Sequence, residues 1–335
     1  GWYAGAVIVP IYETSSVEQV RWILSDSGAV AAICEHDGHE AKISEARSSA
    51  PNLRHQWVFD RGAIDELKSI GQDITDDEID AVRAAVRPQD IASIIYTSGT
   101  TGQPKGCTLT HMNFMILASN VREAIPEILK SPDTSILLFL PLAHVFGRAI
   151  EVAFVNAGLK IGFAPDLTQL VPDLQKFQPS LLLAVPRVFE KVFNSAQQKA
   201  EAEGKGKIFT AASGVAIAYS KALAEGRVPL TLKAKHALFD KLVYHKLRAA
   251  MGGNVKWAVS GGAALGARLG HFFNGIGTTI LEGYGLTETC AAATVNRPSQ
   301  LRVGSVGRAI PGISLKIDTD GEILVKGPQI FDGYW

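Results

Sequence analysis

Cysteine is scarce in this chain, and its placement excludes two classes of protein. Cys34, Cys107 and Cys290 are widely spaced, odd in number and without a Cys-x-x-Cys pair. Neither a disulfide scaffold nor a cysteine-held zinc site is expected, and a reducing cytosol fits. An excess of one charge is also lacking, with Lys+Arg and Asp+Glu both at 33. Global attraction to nucleic acid is therefore not expected, and any electrostatic steering must be local. No apolar run reaches transmembrane length. No signal peptide is visible, which says little in a chain that opens at Gly1. The run ending at Gly333-Tyr334-Trp335 stops without a polar tail, so both ends read as cut.

With 47% hydrophobic residues over 335 positions, the chain can bury a large core in two or three subdomains. Short apolar runs recur at residues 7–11, 30–34, 91–95, 136–140, 160–163, 181–185, 255–259 and 278–281, separated by helical stretches. Unalternating strands of this kind predict an α/β protein whose largely parallel sheets are covered by helices. Ser15-Ser16-Val17-Glu18 reads as a capping box opening a helix with Val17, Val20 and Leu24 on one face. The acidic run Asp73 to Asp80 reads as a solvated helix or connection. Near the end, residues 313–317 alternate strictly and 322–325 are strand-like, with Thr319-Asp320-Gly321 as a hairpin signal. The expected division is a first α/β subdomain at 1–165, a second at 166–296, and the start of a small antiparallel, barrel-like unit at 297–335.

The most informative run follows the strand at 91–95 and reads Tyr96-Thr-Ser-Gly-Thr-Thr-Gly-Gln-Pro-Lys-Gly106. Three glycines permit a tight backbone whose N–H groups converge on an anion. Thr97, Ser98, Thr100 and Thr101 add hydroxyls, and Lys105 adds a full positive charge. A plain surface turn asks for Gly or Pro, not for four hydroxyls and a lysine. The ordinary P-loop pattern is not met, because Lys105 is followed by Gly106 and no hydroxyl stands there to hold Mg²⁺.

This run resembles the signature loop of the AMP-forming acyl-adenylate synthetase superfamily, whose members include acyl- and aryl-CoA synthetases, luciferases and peptide-synthetase adenylation domains. The resemblance implies that Thr97, Ser98, Gly99, Thr100, Thr101, Gly102 and Lys105 hold the phosphates of ATP. A second match, Gly283-Tyr284-Gly285-Leu286-Thr287-Glu288-Thr289, follows the strand at 278–281, where α/β sheets place ligand loops. It implies Tyr284, flanked by Gly283 and Gly285, on the adenine, Thr287 on phosphate and Glu288 on Mg²⁺. A hard cation held by one carboxylate and phosphate oxygens suits a polyphosphate that one lysine leaves undercompensated. In a third match, residues 141–148, the resemblance puts His144 beside the acyl carboxylate and Phe146 on the acyl pocket. In a fourth, Ser260 to Leu265, it brings Gly261 and Gly262 against the acyl chain and Gly262 and Ala263 against adenine. Lys105, His144, Thr287 and Glu288 are the residues on which catalysis is expected to rest. Gly321 to Gly327 with Gly333-Tyr334 matches a structural signature.

The matches run the length of the chain in family order. They imply attack of a carboxylate on the α-phosphate of ATP, release of pyrophosphate and transfer of the acyl group to CoA. No enzyme nucleophile is required, in keeping with the lack of a Gly-x-Ser-x-Gly elbow. Catalysis would come from positioning and charge stabilisation. An amino-acid substrate would need a carboxylate near His144 to pair its amine. The nearest downstream one, Glu151, lies seven residues on, roughly 10 Å along a helix. The long helical stretch after residues 186–191 resembles long-chain fatty acid–CoA ligases, in some of which the position of Phe189 gates the acyl tunnel. An adenylating enzyme for aromatic or amino acids and a non-catalytic nucleotide-binding module remain open. The resemblance also implies a C-terminal domain, carrying a catalytic lysine, that is absent from these residues, so this stretch alone is expected to turn over poorly. Residues 191–250 carry eleven Lys or Arg against four Asp or Glu. That local excess suits a solvated face, the phosphates of CoA or an anionic membrane surface. Oligomeric state is not legible.

Overall fold

The computed structural model describes residues 1–97 and 102–335. Its chain divides into two compact units, residues 1–114 with 141–145 and 329–335, and residues 115–140 with 146–328.

In the first unit, β1 (Ala31–Cys34) pairs in parallel with β2 (His55–Val58). They pack with α1 (Val17–Ser27) and α2 (Asp37–Ala46) around Val20, Leu24, Ile43, Ala46 and Leu53. The box that opens α1 is Ser16 with Gln19, one residue later than expected: the Ser16 hydroxyl accepts from Gln19 N–H, and the Gln19 side chain accepts from Ser16 N–H. Two further helices follow, α3 (Ala63–Ile70) and α4 (Asp76–Ala85). The acidic run does open a solvated helix: α4 has no buried residue, and Thr75 and Glu78 form its capping box. The apolar run at 7–11 is not a strand of a sheet; only Ile8 makes an isolated parallel bridge, to Ser93. A strand absent from the sequence reading, β4 (Lys105–Thr110), runs antiparallel to β3 (Ile91–Thr97). This unit therefore holds one parallel and one antiparallel pair, where largely parallel pairing was expected.

The second unit is built on one seven-stranded sheet. Its strands are β5 (Ser135–Leu138), β6 (Lys160–Phe163), β7 (Leu181–Ala184), β8 (Trp257–Ser260), β9 (Thr279–Leu286), β10 (Ala291–Val295) and the two-residue β11 (Arg308–Ala309). The order is β11-β10-β9-β8-β7-β5-β6, parallel from β6 to β9 and antiparallel beyond. The helices α5 (His111–Ala124, whose first turn falls in the first unit), α6 (Pro126–Leu129), α7 (Val145–Ala157), α8 (Leu170–Phe177), α9 (Pro186–Ala202), α10 (Gly206–Ala224), α11 (Leu230–Phe239), α12 (His245–Ala250) and α13 (Ala267–Gly275) complete the inventory, with a π-helical turn at Asp240–Tyr244 joining α11 to α12. Phe189, Phe193, Phe209, Phe272 and Phe273 interlock in the core through edge-to-face contacts 4.8–5.4 Å between centroids. The boundary expected at 165 falls inside this sheet, because β5 and β6 precede it in sequence yet β5 pairs with β7. Parallel crossovers place strands distant in sequence side by side. The expected hairpin is present as β12 (Ser314–Ile317) and β13 (Ile323–Lys326). The rest of 297–335 does not stay with it: β11 joins the large sheet and Gln329–Trp335 joins the first unit.

Candidate nucleotide site

The described ends of the phosphate-loop run, Tyr96 with Thr97 and Lys105 with Gly106, lie on two antiparallel strands. Thr97 stands opposite Lys105 in register, and Tyr96 opposite Gly106. Ser98, Gly99, Thr100 and Thr101 lie outside the described residues. On the near side of them, Gly102 has φ 105°, a left-handed conformation natural to glycine. Lys105 is solvent-exposed, with Nζ 5.2 Å from the centre of the Tyr334 ring.

Three aromatic residues brace the hairpin. Trp22 on α1 donates its indole N–H to the carbonyl of Pro104 at 2.8 Å. Tyr96 donates to the Asp26 carboxylate, and burial followed by that bond raises the phenol well above its usual pKa. Trp335 donates its indole N–H to Asp26 O at 2.9 Å and its backbone N–H to Gly106 O at 2.7 Å. Thr108 donates both its hydroxyl and its N–H to Gly333 O. The segment read as a mark of fold, Gly333-Tyr334-Trp335, thus lies against the strand that carries Lys105. Gly106 is required there: a Cβ would come within 2.8 Å of Ile94 Cγ2 and 3.2 Å of Trp335 Cβ. Sequence reasoning missed Trp22 and Asp26 because it followed only the apolar face of α1; a tryptophan on the other face was the available signal.

His144, also in the first unit, immediately precedes α7, and its N–H donates to Pro141 O at 3.0 Å. The residue retains solvent access, yet the atoms crowding its ring hold its pKa below the ordinary imidazole value. A neutral imidazole suits a group that meets a carboxylate through a hydrogen bond.

In the second unit the Gly283 to Thr289 run is again a hairpin, where a loop after the strand was expected. Gly283, Tyr284, Gly285 and Leu286 form the end of β9 and pair antiparallel with β10. Gly285 faces that partner so closely that a Cβ would sit 1.5 Å from Ala291 O. Thr287 and Glu288 lie at the turn, closed by a bond from Cys290 N–H to Thr287 O at 2.9 Å. Cys290 and Ala291 take φ of 51° and 79°, left-handed values that cost side-chain-bearing residues on the order of 1–3 kcal/mol each. Buried Thr289 holds the turn in that shape: its hydroxyl accepts from Leu286 N–H and donates to Ala291 O, both at 2.8 Å.

Next to β9, the end of β8 leads into Gly261, Gly262 and Ala263. A Cβ at Gly261 would lie 3.3 Å from Phe146 Cζ, so the expected acyl-pocket residues Phe146 and Gly261 are neighbours. Gly262, with φ 82°, and Ala263 are exposed. Buried Glu282 closes the same loop, its carboxylate accepting from Leu265 N–H at 3.1 Å. Phe189, expected at the acyl pocket, is fully buried in α9 against Phe273. Glu151 faces Arg148 on α7; burial raises the carboxyl and the guanidinium lowers it, while burial also lowers Arg148. Glu151 thus already has a cation beside it. Among the described residues no group of three or more His, Cys, Asp or Glu could hold a metal ion.

Comparison with known proteins gives this chain its class. The model of the AMP-binding enzyme family matches residues 1–335, and the chain belongs to that family. It is 49% identical over 334 residues to the long-chain-fatty-acid–CoA ligase FadD15 of Mycobacterium bovis, covering 99% of this chain and 56% of the relative. It is 31% identical to long chain acyl-CoA synthetase 4 of Arabidopsis thaliana, covering 99% and 54%. The chain therefore spans about half the length of these curated relatives. Among solved structures, an anthranilate CoA ligase, AuaEII, in complex with anthranoyl-AMP superposes with TM-score 0.68 at 22% identity, over 99% of this chain and 56% of that one. A long-chain-fatty-acid-CoA ligase from Archaeoglobus fulgidus gives TM-score 0.68 at 21%, over 100% and 60%. The α/β fold is thus that of the adenylating enzymes.

Proposed function

We propose that the protein is a long-chain fatty acid–CoA ligase, which activates a fatty acid with ATP to an acyl-adenylate, releases pyrophosphate and passes the acyl group to CoA. The observation that carries this reading is the 49% identity to a ligase of that name across 99% of the chain. In it, Lys105 and the neighbouring Thr97 and Gly102 bind phosphate; Lys105 supplies the charge that stabilises the α-phosphate as it is attacked. His144, neutral, orients the acyl carboxylate. Phe146 and Gly261 flank the start of the acyl chain, and Tyr284 with Gly262 and Ala263 takes the adenine. Thr287 and Glu288, fixed at a strained turn, receive phosphate and Mg²⁺. The fit of magnesium rests on donor chemistry: one carboxylate oxygen donor is what Mg²⁺ commonly takes from a protein when phosphates and water supply the rest. When bound, the ion neutralises phosphate charge.

The basic helices suggest where such an enzyme meets its substrate. Leu230, Leu238 and Leu242 are 82%, 56% and 50% exposed, beside exposed Lys233, Lys235 and Lys241, a combination suited to peripheral contact with an anionic lipid surface. No helix among the described residues is long and apolar enough to cross a membrane. Binding to vesicles containing phosphatidylglycerol should fall with rising salt; none at low salt would dispose of the contact.

Pyrophosphate exchange in the intact protein tests the main reading. Palmitate-dependent exchange supports it. Exchange with anthranilate or amino acids but not with palmitate would replace it with another adenylating activity, and nucleotide binding without any exchange would make the protein a binding module.

A further inference from the structure

A cavity lies at one end of the sheet in the second unit. It is about 740 Å³ in volume and opens where β8 and β9 begin, at Trp257 and Thr279, not toward their far ends, where Gly261 and Tyr284 stand. Five residue steps along β9 separate Thr279 from Tyr284, roughly 17 Å of extended chain. The cavity is thus separate from the adenine motif.

Its walls are amphipathic. Trp257, Leu301 and Val303 supply an apolar surface, and Leu223, 48% exposed, an apolar lip. Two cations, Lys221 and Arg302, also line it, and among the described residues neither forms an ion pair. The single lining carboxylate, Glu225, leaves the rim net positive.

A directed chain of hydrogen bonds adds one more donor. Thr279 donates its hydroxyl to Asn274 Oδ1 at 2.9 Å, and Asn274 Nδ2 donates to Ser220 Oγ at 2.9 Å. The Ser220 hydroxyl, fully buried, lies 3.0 Å from His271 Nδ1 and donates to it when that nitrogen carries no proton. With Nδ1 accepting, the proton of neutral His271 sits on Nε2. Burial first and Lys221 second hold His271 below the usual imidazole pKa, in keeping with that neutral form. In that tautomer the ring, which lines the cavity, carries its N–H on Nε2.

We infer that this cavity binds an amphipathic anion, its phosphate or carboxylate head held by Lys221, Arg302 and His271 Nε2–H and its apolar tail lying on Trp257, Leu301 and Val303. Cations without partners around an apolar wall suit such a ligand better than a neutral lipid, which would leave both charges unused, or a free inorganic anion, which would leave the wall wet.

Dodecyl phosphate and dodecanoate, each below its micellar concentration, should be titrated into the 335-residue chain by calorimetry and by tryptophan emission, with and without saturating MgATP. One equivalent of at least one probe should bind, with an emission change that is absent in Trp257→Phe. Lys221→Gln/Arg302→Gln should weaken it about tenfold or more, as expected for lost charged hydrogen bonds. Both replaced side chains are exposed, so the thermal midpoint should hold and certify the fold. Binding of dodecyl phosphate alone would identify a phosphate head as the ligand chemistry, and of dodecanoate alone a carboxylate. Absence of binding, displacement by MgATP, or equal affinity in the double variant would overturn the inference; the last would place the probe in the acyl pocket.

Discussion

The two motifs that carry the proposed chemistry are both antiparallel hairpins, but they are held in opposite ways. The β3–β4 hairpin is fixed from outside. Trp22 and Asp26 come from α1, and Gly333 and Trp335 come from more than two hundred residues downstream. The β9–β10 hairpin is fixed from within, by Thr289, by the left-handed Cys290 and Ala291, and by a glycine where no side chain fits. A flexible polyphosphate demands a cation on a well-braced strand. A metal-binding carboxylate at a tight turn demands that the turn itself be rigid. Remote bracing should make the first hairpin tolerant of single losses, whereas the second should fail at one position.

The sharpest break is therefore Gly285→Ala. The added carbon would stand 1.5 Å from a backbone oxygen, which no side-chain rotation can relieve. The expected cost is about 3 kcal/mol or more, seen as a fall in the denaturant midpoint together with loss of nucleotide binding. Gly106→Ala meets mainly side chains and should cost less. Equal losses at the two glycines would erase the distinction between the hairpins.

Next come the charges. Lys105→Met and Glu288→Gln in the intact protein should each slow palmitate-dependent pyrophosphate exchange on the order of a hundredfold, about 2.7 kcal/mol at the transition state, with little change in stability because both sit at solvent-accessible positions. A change below about threefold for either would remove that residue from the mechanism. Raising Mg²⁺ should partly rescue Glu288→Gln and leave Lys105→Met unaltered, since only the first is proposed to act through the ion.

How much of this was legible from the residues follows the same divide. The family was legible, because hydroxyls, glycines and a lysine in one run have few other uses. Most strands were legible as well, since buried parallel strands are short apolar runs; β6 begins and ends where its residues predict. The hairpins were not. Their second strands, Lys105-Gly-Cys-Thr-Leu-Thr and Ala-Ala-Ala-Thr-Val, are a mixed run and a run of small residues whose strand identity comes from pairing, not from propensity. Nor was the division at 165, since which strands become neighbours is decided by crossovers rather than by sequence order. The aromatic brace was hidden for a related reason: Trp22 and Trp335 act through indole N–H groups on carbonyls that no local pattern announces.

A smaller effect tests the internal brace of the second hairpin. Thr289→Val keeps the shape but removes one acceptor and one donor from a buried turn, and should cost about 1–3 kcal/mol. Because it holds Cys290 and Ala291 in left-handed backbone, the loss should be partly recovered by adding Ala291→Gly, which occupies φ of 79° without strain. A cycle of the two single variants and the double should therefore be non-additive. Strict additivity would mean that the hydroxyl does not hold the turn.

The smallest effect belongs to the external brace. Trp22→Phe deletes one indole N–H and leaves Pro104 O short of its partner, a net loss of about 1 kcal/mol. The carbonyl is part-buried, so water can replace the lost donor. Global stability should barely move, while hydrogen exchange at residues 105–107 should quicken and the affinity for ATP should fall by about threefold. The paired variant Trp22→Phe/Trp335→Phe, which also frees Asp26 O, should lose more than the two singles together, since each brace covers for the other. If the double loses no more than either single, α1 is not what steadies the lysine, and the hairpin is as self-sufficient as its counterpart.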